Sequence, residues 1–336
     1  MKTNLTILFI NTSTALFSLA ALVAGAGESH AAAAQWKPDK PIEIIVGTGV
    51  GGGQDKSART VQRIMQGRRL VDVPVTVVNK PGGGGAVGWT YLNQHAGEGH
   101  IVYVGNPTLL TNHIVGRSPI NYTHVTPLAI LLSESVAISV LPDSALKTGK
   151  DLLARLKQDT ASVSVAVGSS LGSTNHIAMA LLARAAGGDA KKLRTVVFQG
   201  GGEAITALLG GHIDVNSSAA NNVVQHKEAG RLRVLGVASA RRLGGVLADV
   251  PTWKEQGVNA LVTNWRMVAG PKGMTAAQIA YWDGVLAKLA QSEEWKKDLD
   301  ANLFENTFRN SAATERYMKD EYDNFRAALA ELGMAK

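Results

Sequence analysis

Two glycine-rich segments contain residues whose types and spacing could bind an anion. In the first, residues 47–53 include five glycines and are followed by Gln54 and Asp55. This segment joins an apolar run at residues 42–46 to a helical pattern that begins near Ala58. Such a loop leaves the first backbone N–H groups of the helix unpaired, and the helix dipole adds partial positive charge there. The sequence therefore predicts an anion-binding site at this loop.

The second segment begins at Gly168, continues through Ser169 and Ser170, and leads into a helical pattern at residues 174–186. Both segments follow strand-like runs, and α/β proteins bind ligands at the carboxyl ends of their strands. Charge-assisted hydrogen bonds contribute roughly 1.5–3 kcal/mol each, and micromolar binding needs ~8 kcal/mol. We therefore expect two helix starts to hold one anion from opposite sides without a buried lysine.

The elements that must position these loops alternate short apolar runs with helical patterns. The predicted strands are residues 42–46, 75–78, 101–104, 136–141, 163–167, 195–198, 213–215, 233–238 and 264–269. The predicted helices include residues 150–157, 174–186, 203–209, 223–228, 276–290, 293–299 and 312–332. Apolar strands that are each followed by a helix predict parallel sheets with both faces covered.

This pattern divides into two doubly wound α/β lobes. One lobe is predicted from residues 35–138 together with 240–336, and the other from residues 139–239. Two crossover strands would join the lobes, and a ligand would bind in the cleft between them.

The first 34 residues have the layout of a secretory signal peptide. Lys2 precedes an uncharged stretch at residues 3–27, and small residues follow at 31–34. An uncleaved membrane anchor is the alternative, but the polar residues 11–14 interrupt the apolar stretch. We therefore expect a cleaved leader and an exported protein.

Composition excludes several kinds of site. The chain has no cysteine, which removes disulfides, thiol catalysis and cysteine metal sites. Its net charge of +7 is scattered, so no nucleic-acid-binding stripe is predicted. The histidines at 95, 100, 113 and 124 lack the spacing and acidic partners of a metal site. We predict neither a metal nor a cofactor.

Two other motifs permit different functions. Residues 47–52 match the dinucleotide pattern G-x-G-x-x-G, but the second predicted strand ends in Asn79-Lys80 and offers no acid for a ribose. Gly168-Ser169-Ser170-Leu171-Gly172 matches the G-x-S-x-G of serine hydrolases, so an exported serine esterase that uses Ser170 is the alternative function. Such enzymes place a histidine near the carboxyl end, whereas the last histidine here is His226.

The order of motifs along the chain resembles the solute-binding receptors of tripartite tricarboxylate transporters, the Bug-type proteins. The similar segments are residues 41–46, 51–55, 58–59, 78–82, 84–85, 168–176, 200–204, 208–211, 229–233, 249–252 and 264–266. The resemblance implies a type II periplasmic binding-protein fold and a non-enzymatic receptor in the periplasm. It also implies a small organic carboxylate as ligand, either a tricarboxylate such as citrate or a dicarboxylate. The partner would be a two-component membrane permease with large and small subunits, served by a monomeric receptor.

The expected ligand-binding residues come from loops of both lobes. They are Gly51, Gly52, Gly53, Gln54, Asp55, Ser169, Ser170, Gly172, Ser173, Thr174, Gln199, Gly200, Gly201, Ser217, Ser218, Asn221 and Arg266. Relatives often have an aromatic residue at the place of Gln54 and an acid at that of Asn175, so these positions should influence which carboxylate binds. For Asp55, a helix N-terminal acid is the alternative to a ligand contact.

Arg266 is the residue from which we expect selectivity. It lies in an apolar strand, where a buried guanidinium needs a partner. We predict that Arg266 binds a second ligand carboxylate bidentately, with a structural ion pair as the alternative.

Overall fold

The computed structural model describes residues 36–168, 170–198 and 200–336. The predicted signal peptide and the predicted site residues Ser169 and Gln199 lie outside the described residues. The strands are β1 (Ile42–Val46), β2 (Val75–Asn79), β3 (Ile101–Gly105), β4 (Val125–Val140), β5 (Ser164–Gly168), β6 (Arg194–Phe198), β7 (Val215–Ala219), β8 (Arg233–Ala238), β9 (Thr263–Pro271) and β10 (Glu305–Arg309). The helices are α1 (Gly53–Gly67), α2 (Ala86–Asn93), α3 (Thr108–Ile114), α4 (Gly149–Gln158), α5 (Thr174–Ala185), α6 (Gly201–Leu209), α7 (Ala220–Glu228), α8 (Ala276–Gln291), α9 (Glu293–Asn302) and α10 (Ser311–Glu331).

Two lobes share one long strand, β4. In the first lobe the strand order is β2-β1-β3-β9-β4, and β10 also pairs with β4. In the second lobe β6, β5 and β7 are parallel neighbours, and β7 and β8 both pair with β4. Residues 125–135 of β4 pair with β9, and residues 136–140 pair with β7 and β8. The chain therefore crosses between the lobes at Ser135 and Val136.

The sheets are mixed, whereas the sequence predicts parallel ones. β1 is parallel to β2 and β3, and β5 is parallel to β6 and β7, as expected. β4 runs antiparallel to β7, β8, β9 and β10. Strand β4 continues from one sheet into the other and keeps the same direction in both. Its neighbours can run antiparallel to it because antiparallel strands need no crossover helix between them.

The sequence predicts a strand only from residue 136, but β4 begins at Val125. The polar triplet Ser133-Glu134-Ser135 has the composition of a loop, yet all three residues are buried. In the pairing with β9, Leu132 lies opposite Arg266 and Glu134 lies opposite Asn264. Because alternate residues share a face, Glu134, Arg266 and Asn264 lie together, and polar partners across the sheet stabilise the buried triplet.

The predicted apolar face of α1 packs in the core and positions this helix at the end of β1. Ala58, Val61, Ile64 and Met65 are all buried. They belong to a core cluster that includes residues of β1 and of α8. This packing fixes the start of α1 at the carboxyl edge of the first sheet.

The predicted lobe boundaries stay a prediction. At the second boundary, after residue 239, the structure shows which sheet the following residues contact. Beyond residue 239, Thr252 forms a bridge with Val237 of β8. Trp253 is buried, and a Cβ placed on Gly236 of β8 would lie 2.9 Å from its ring. Leu243, Leu247 and Val250 share a core cluster with residues of β8, so the segment from Leu243 to Trp253 packs on the second-lobe sheet. Within the described part of the chain, no helix has the length and apolar character of a membrane span.

Candidate functional site

Four helices begin at loops where ligand-binding residues are predicted, and within the described residues their N-cap side chains accept no hydrogen bond from the first turn of the helix. These N-cap residues are Gly52 for α1, Ser173 for α5, Gly200 for α6 and Ala219 for α7. Among the other described helices, α4, α8, α9 and α10 are capped by the side chains of Thr148, Thr275, Ser292 and Asn310. Helices α2 and α3, whose N-cap residues are Gly85 and Pro107, also have no side-chain cap. The described side chains therefore leave the first turns of α1, α5, α6 and α7 open to an external acceptor.

The predicted loops of the second lobe lie against each other. A Cβ on Gly168 would lie 2.8 Å from the backbone nitrogen of Gly201 and 2.9 Å from the carbonyl carbon of Gly200. The hydroxyl of Ser217, in the middle of β7, donates to the backbone oxygen of Asn175 at 2.8 Å. The structure thus brings the start of α6 next to the end of β5, and the start of α5 next to β7.

Asp55 holds the first-lobe loop in shape. Its buried carboxylate accepts hydrogen bonds from Gly51 N at 2.8 Å, Asn79 Nδ2 at 2.9 Å and Arg59 Nε at 3.0 Å. Burial acts to raise the pKa of Asp55, but the hydrogen bonds from Arg59, Gly51 and Asn79 outweigh it and leave the pKa lowered. Asp55 therefore stays ionised and orients the loop, and its direct contact with a ligand stays a prediction.

The loop before α5 is fixed from two sides. His176 Nδ1 accepts a hydrogen bond from Gly172 N at 3.1 Å, and Arg117 Nη1 donates to the carbonyl of Leu171 at 2.7 Å. Burial, helped by the charge of Arg117, lowers the pKa of His176 to about 4. The imidazole is therefore neutral at physiological pH, which allows Nδ1 to act as the acceptor. Arg117 comes from the segment between α3 and β4, so this contact joins the lobes.

Several buried polar atoms at these loops have no hydrogen-bond partner among the described residues. They are Thr48 Oγ1, Ser170 Oγ, Asn175 Oδ1, Asn221 Oδ1 and Arg266 Nε. Other such atoms are spread over the described chain, but these five belong to the predicted loops and to Arg266. An unsatisfied buried group costs about 1–3 kcal/mol, so each of these atoms is a candidate partner for a ligand or an ordered water.

A cavity of about 200 Å³ lies beside the start of α1 and includes residues of both lobes. Its lining residues are Gly53, Lys56, Ser57, Thr60, Asn221, Asp298, Asn302 and Phe304. The presence of Gly53 and Asn221 in one cavity brings a predicted residue of each lobe together. Lys56 was missed by the sequence reasoning because an exposed lysine on a helix carries no distinguishing signal.

Arg266 forms a buried ion pair with Glu134. Arg266 Nη2 lies 2.5 Å from Glu134 Oε1, and the two side chains are 4% and 3% exposed. Asn264 Nδ2 donates to the other carboxylate oxygen at 2.9 Å. Burial raises the pKa of Glu134, and the charge of Arg266 opposes this rise. The ion pair that the sequence left as the alternative is present, and binding of a second carboxylate by Arg266 stays a prediction.

Other predicted residues are less available to a ligand. Ser218 is fully buried in β7, where its hydroxyl accepts from Asn216 Nδ2 at 3.0 Å. Ser170 Oγ makes no hydrogen bond to a histidine of the described residues. The serine-hydrolase alternative needs such a pair, and the Nδ1 of nearby His176 is already bonded to Gly172.

Comparison with known proteins identifies the family. A sequence model described as "Tripartite tricarboxylate transporter family receptor" matches residues 58–334. The chain belongs to this family. It is 24% identical to Protein BugT of Bordetella pertussis over 329 residues. The aligned region covers 96% of this chain and 99% of BugT. The family is one of solute-binding receptors.

Solved structures share the fold. A TctC solute-binding protein from Polaromonas, solved without ligand, is 28% identical with a TM-score of 0.68, over 88% of this chain and 99% of that one. An R. palustris protein solved with adipate is 22% identical with a TM-score of 0.80, over 89% and 99% of the two chains. The predicted α/β fold of the two-lobe periplasmic binding-protein type is therefore confirmed.

The close approach of the two second-lobe loops predicts the effect of adding one methyl group. Gly168→Ala would push a Cβ against backbone atoms of Gly200 and Gly201, which should cost about 1–3 kcal/mol of unfolding free energy. Gly202→Ala is the matched control, because nothing lies within 4 Å of its Cβ position. Urea unfolding gives the free energy of unfolding of both variants and of the parent. A Gly168→Ala protein as stable as the control would contradict the close contact.

Neutral His176 predicts a pH dependence of stability. The folded pKa of about 4 lies below the 6.5 of an unperturbed histidine, so the unfolded state binds the proton first. This contribution to stability is complete above pH ~6.5 and is lost as the pH falls toward ~4, by about 3 kcal/mol. His176→Gln, whose amide oxygen can accept from Gly172, should lose less stability between pH 7 and 4. Urea unfolding at pH 7 and pH 4 measures both proteins. If the parent and His176→Gln lose the same unfolding free energy between these pH values, the neutral, buried state of His176 is refuted.

Proposed function

We propose that this protein is a periplasmic receptor that captures a small organic carboxylate between its lobes and delivers it to a two-component membrane permease. The observation that supports this most directly is the set of uncapped helix starts from both lobes. Its family, its fold and the exported character predicted for its first 34 residues agree with this role.

Backbone amides are the main source of affinity in this proposal. A carboxylate at the starts of α1 and α5 accepts hydrogen bonds that the described side chains do not fill. Each such bond contributes roughly 1.5–3 kcal/mol, whereas a helix dipole adds about 0.3–1 kcal/mol. Lys56, which lines the cavity beside Gly53, adds a positive charge. The site therefore favours anions without needing a buried lysine.

The candidate ligands are tricarboxylates such as citrate and dicarboxylates. The adipate in the R. palustris structure belongs to that protein and supports the inclusion of longer dicarboxylates among the candidates. Ser170, Asn175 and Asn221 supply polar atoms for ligand oxygens, directly or through water.

Capture involves closure of the lobes around the ligand. The cavity contains Gly53 from one lobe and Asn221 from the other. A ligand that contacts both residues binds the closed arrangement better than the open one and shifts the population toward it. The receptor acts as a monomer in this scheme.

A thermal-shift screen tests the ligand class. Citrate, succinate, adipate and benzoate are each compared with the matching amide at equal ionic strength. At a concentration of one hundred times Kd, a bound carboxylate adds about 2.7 kcal/mol of stability and should raise Tm by several degrees, whereas the uncharged amides should not. A shift with no carboxylate would count against the proposal, as would ester hydrolysis that disappears in Ser170→Ala.

Solution scattering tests closure. The radius of gyration of the parent protein should decrease when a carboxylate found in the screen is added to saturation, because both lobes then contact the ligand. A concentration series confirms that the receptor stays monomeric. An unchanged radius of gyration at saturation would argue against capture between the lobes.

A further inference from the structure

Glu134 and Arg266 lie directly beside the start of α1. A Cβ on Gly53 would lie 3.0 Å from Arg266 Nη2 and 4.0 Å from Glu134 Oε1. The ion pair therefore borders the place where the proposed carboxylate accepts backbone hydrogen bonds. Glycine at position 53 permits this approach, since a larger residue would contact the guanidinium.

The pair is almost fully satisfied within the protein. Both oxygens of Glu134 accept hydrogen bonds, one from Arg266 and the other from Asn264. Arg266 Nη1 donates to the backbone oxygen of Trp265 at 3.3 Å, while its Nε is buried without a partner in the described residues. Arg266 thus keeps one unused N–H group, at Nε, but its positive charge is already balanced.

The other charges around the start of α1 are also balanced, with one exception. Asp55 is paired with Arg59 at 3.0 Å. Asp298 accepts from Thr60 at 3.2 Å and lies 3.8 Å from Arg63. Lys56 forms no side-chain hydrogen bond or ion pair with the described residues of the chain. Among the described residues around the start of α1, Lys56 is therefore the positive charge left for a ligand, in addition to the helix starts.

We propose that Glu134 determines specificity by acting as a built-in carboxylate that balances Arg266, so that the cleft rejects ligands with a further carboxylate at this position. This inference rests on the proposed function and refines its ligand class. A ligand oxygen at Arg266 Nε would accept a hydrogen bond, but it would not be attracted by a net positive charge. A ligand carboxylate at the same place would be repelled by the carboxylate of Glu134. Binding of a second carboxylate by Arg266 is then expected only when Glu134 is neutralised.

The test compares three acids that differ in carboxylate number, namely propionate, succinate and tricarballylate. Association constants are measured by calorimetry at fixed pH and ionic strength. Glu134→Gln keeps an acceptor for Arg266 but removes the negative charge, so the ratio of tricarballylate to propionate association constants should rise about tenfold. Glu321→Gln is the matched control, because Glu321 accepts from Trp265 Nε1 at 3.3 Å, away from the Glu134–Arg266 contact.

If Glu134→Gln does not fold, a second variant still tests the proposal. The double variant Glu134→Gln/Arg266→Gln removes both charges, and replacement of a whole buried pair is tolerated better than removal of one partner. Its affinity should be lower, but its tricarballylate-to-propionate ratio should stay within about threefold of the parent, because the net charge is unchanged.

The outcomes separate the two proposals. If the parent binds these acids and Glu134→Gln changes all three association constants equally, the role of Glu134 is refuted while the receptor function stands. A double variant whose ratio differs tenfold from the parent refutes it as well. If the parent binds no carboxylate, the proposed function and this inference both fail.

Discussion

The antiparallel pairing of β4 with β9 places Glu134 against Arg266 where β4 leaves one sheet for the other. A buried charge without its partner is strongly destabilising, at about 3–5 kcal/mol. The pair therefore opposes any slip in register between the two strands, because a slip of one residue would move these side chains to opposite faces. Since Gly53 lies against the same guanidinium, the crossing between the lobes and the start of α1 form one structural unit.

The described helices differ in how their first turns are capped. Where α4, α8, α9 and α10 begin, a side chain satisfies the first turn, and the helix is complete by itself. Where α1, α5, α6 and α7 begin, that side-chain hydrogen bond is missing. Its absence costs about 1 kcal/mol at an alanine N-cap and only a few tenths at a glycine. In the proposed function, a bound anion would supply the missing acceptor to helices of both lobes at once. Ligand binding would then be linked to the stability of the closed arrangement.

The sequence predicted the parts of the structure that depend on local pattern. The glycine loops, the buried face of α1 and the alternation of strands and helices from Gly149 to Ala238 follow from residue order alone. Four elements were missed for identifiable reasons. Helix α2 is short and contains Gly88, and α3 is buried nearly all round and shows no amphipathic period. Strand β10 is short and polar, and the first part of β4 contains a polar triplet. Glu134 was missed because its partner lies 132 residues away in the chain, and no local pattern records such a contact.

The contacts between the lobes are unequally distributed, which restricts how they can close. On the side of α3, α5 and α10, Arg117 binds the carbonyl of Leu171, and Arg184 of α5 pairs with Glu331 of α10. On the side of α1 and α9, cavities of about 200 and 390 Å³ separate first-lobe residues from Asn221 and from the segment at residues 241–245. In the proposed closure, these cavities give the lobes space to approach on this second side. Because β4 changes partners at Ser135 and Val136, such a rotation would bend β4 beside the Glu134–Arg266 pair.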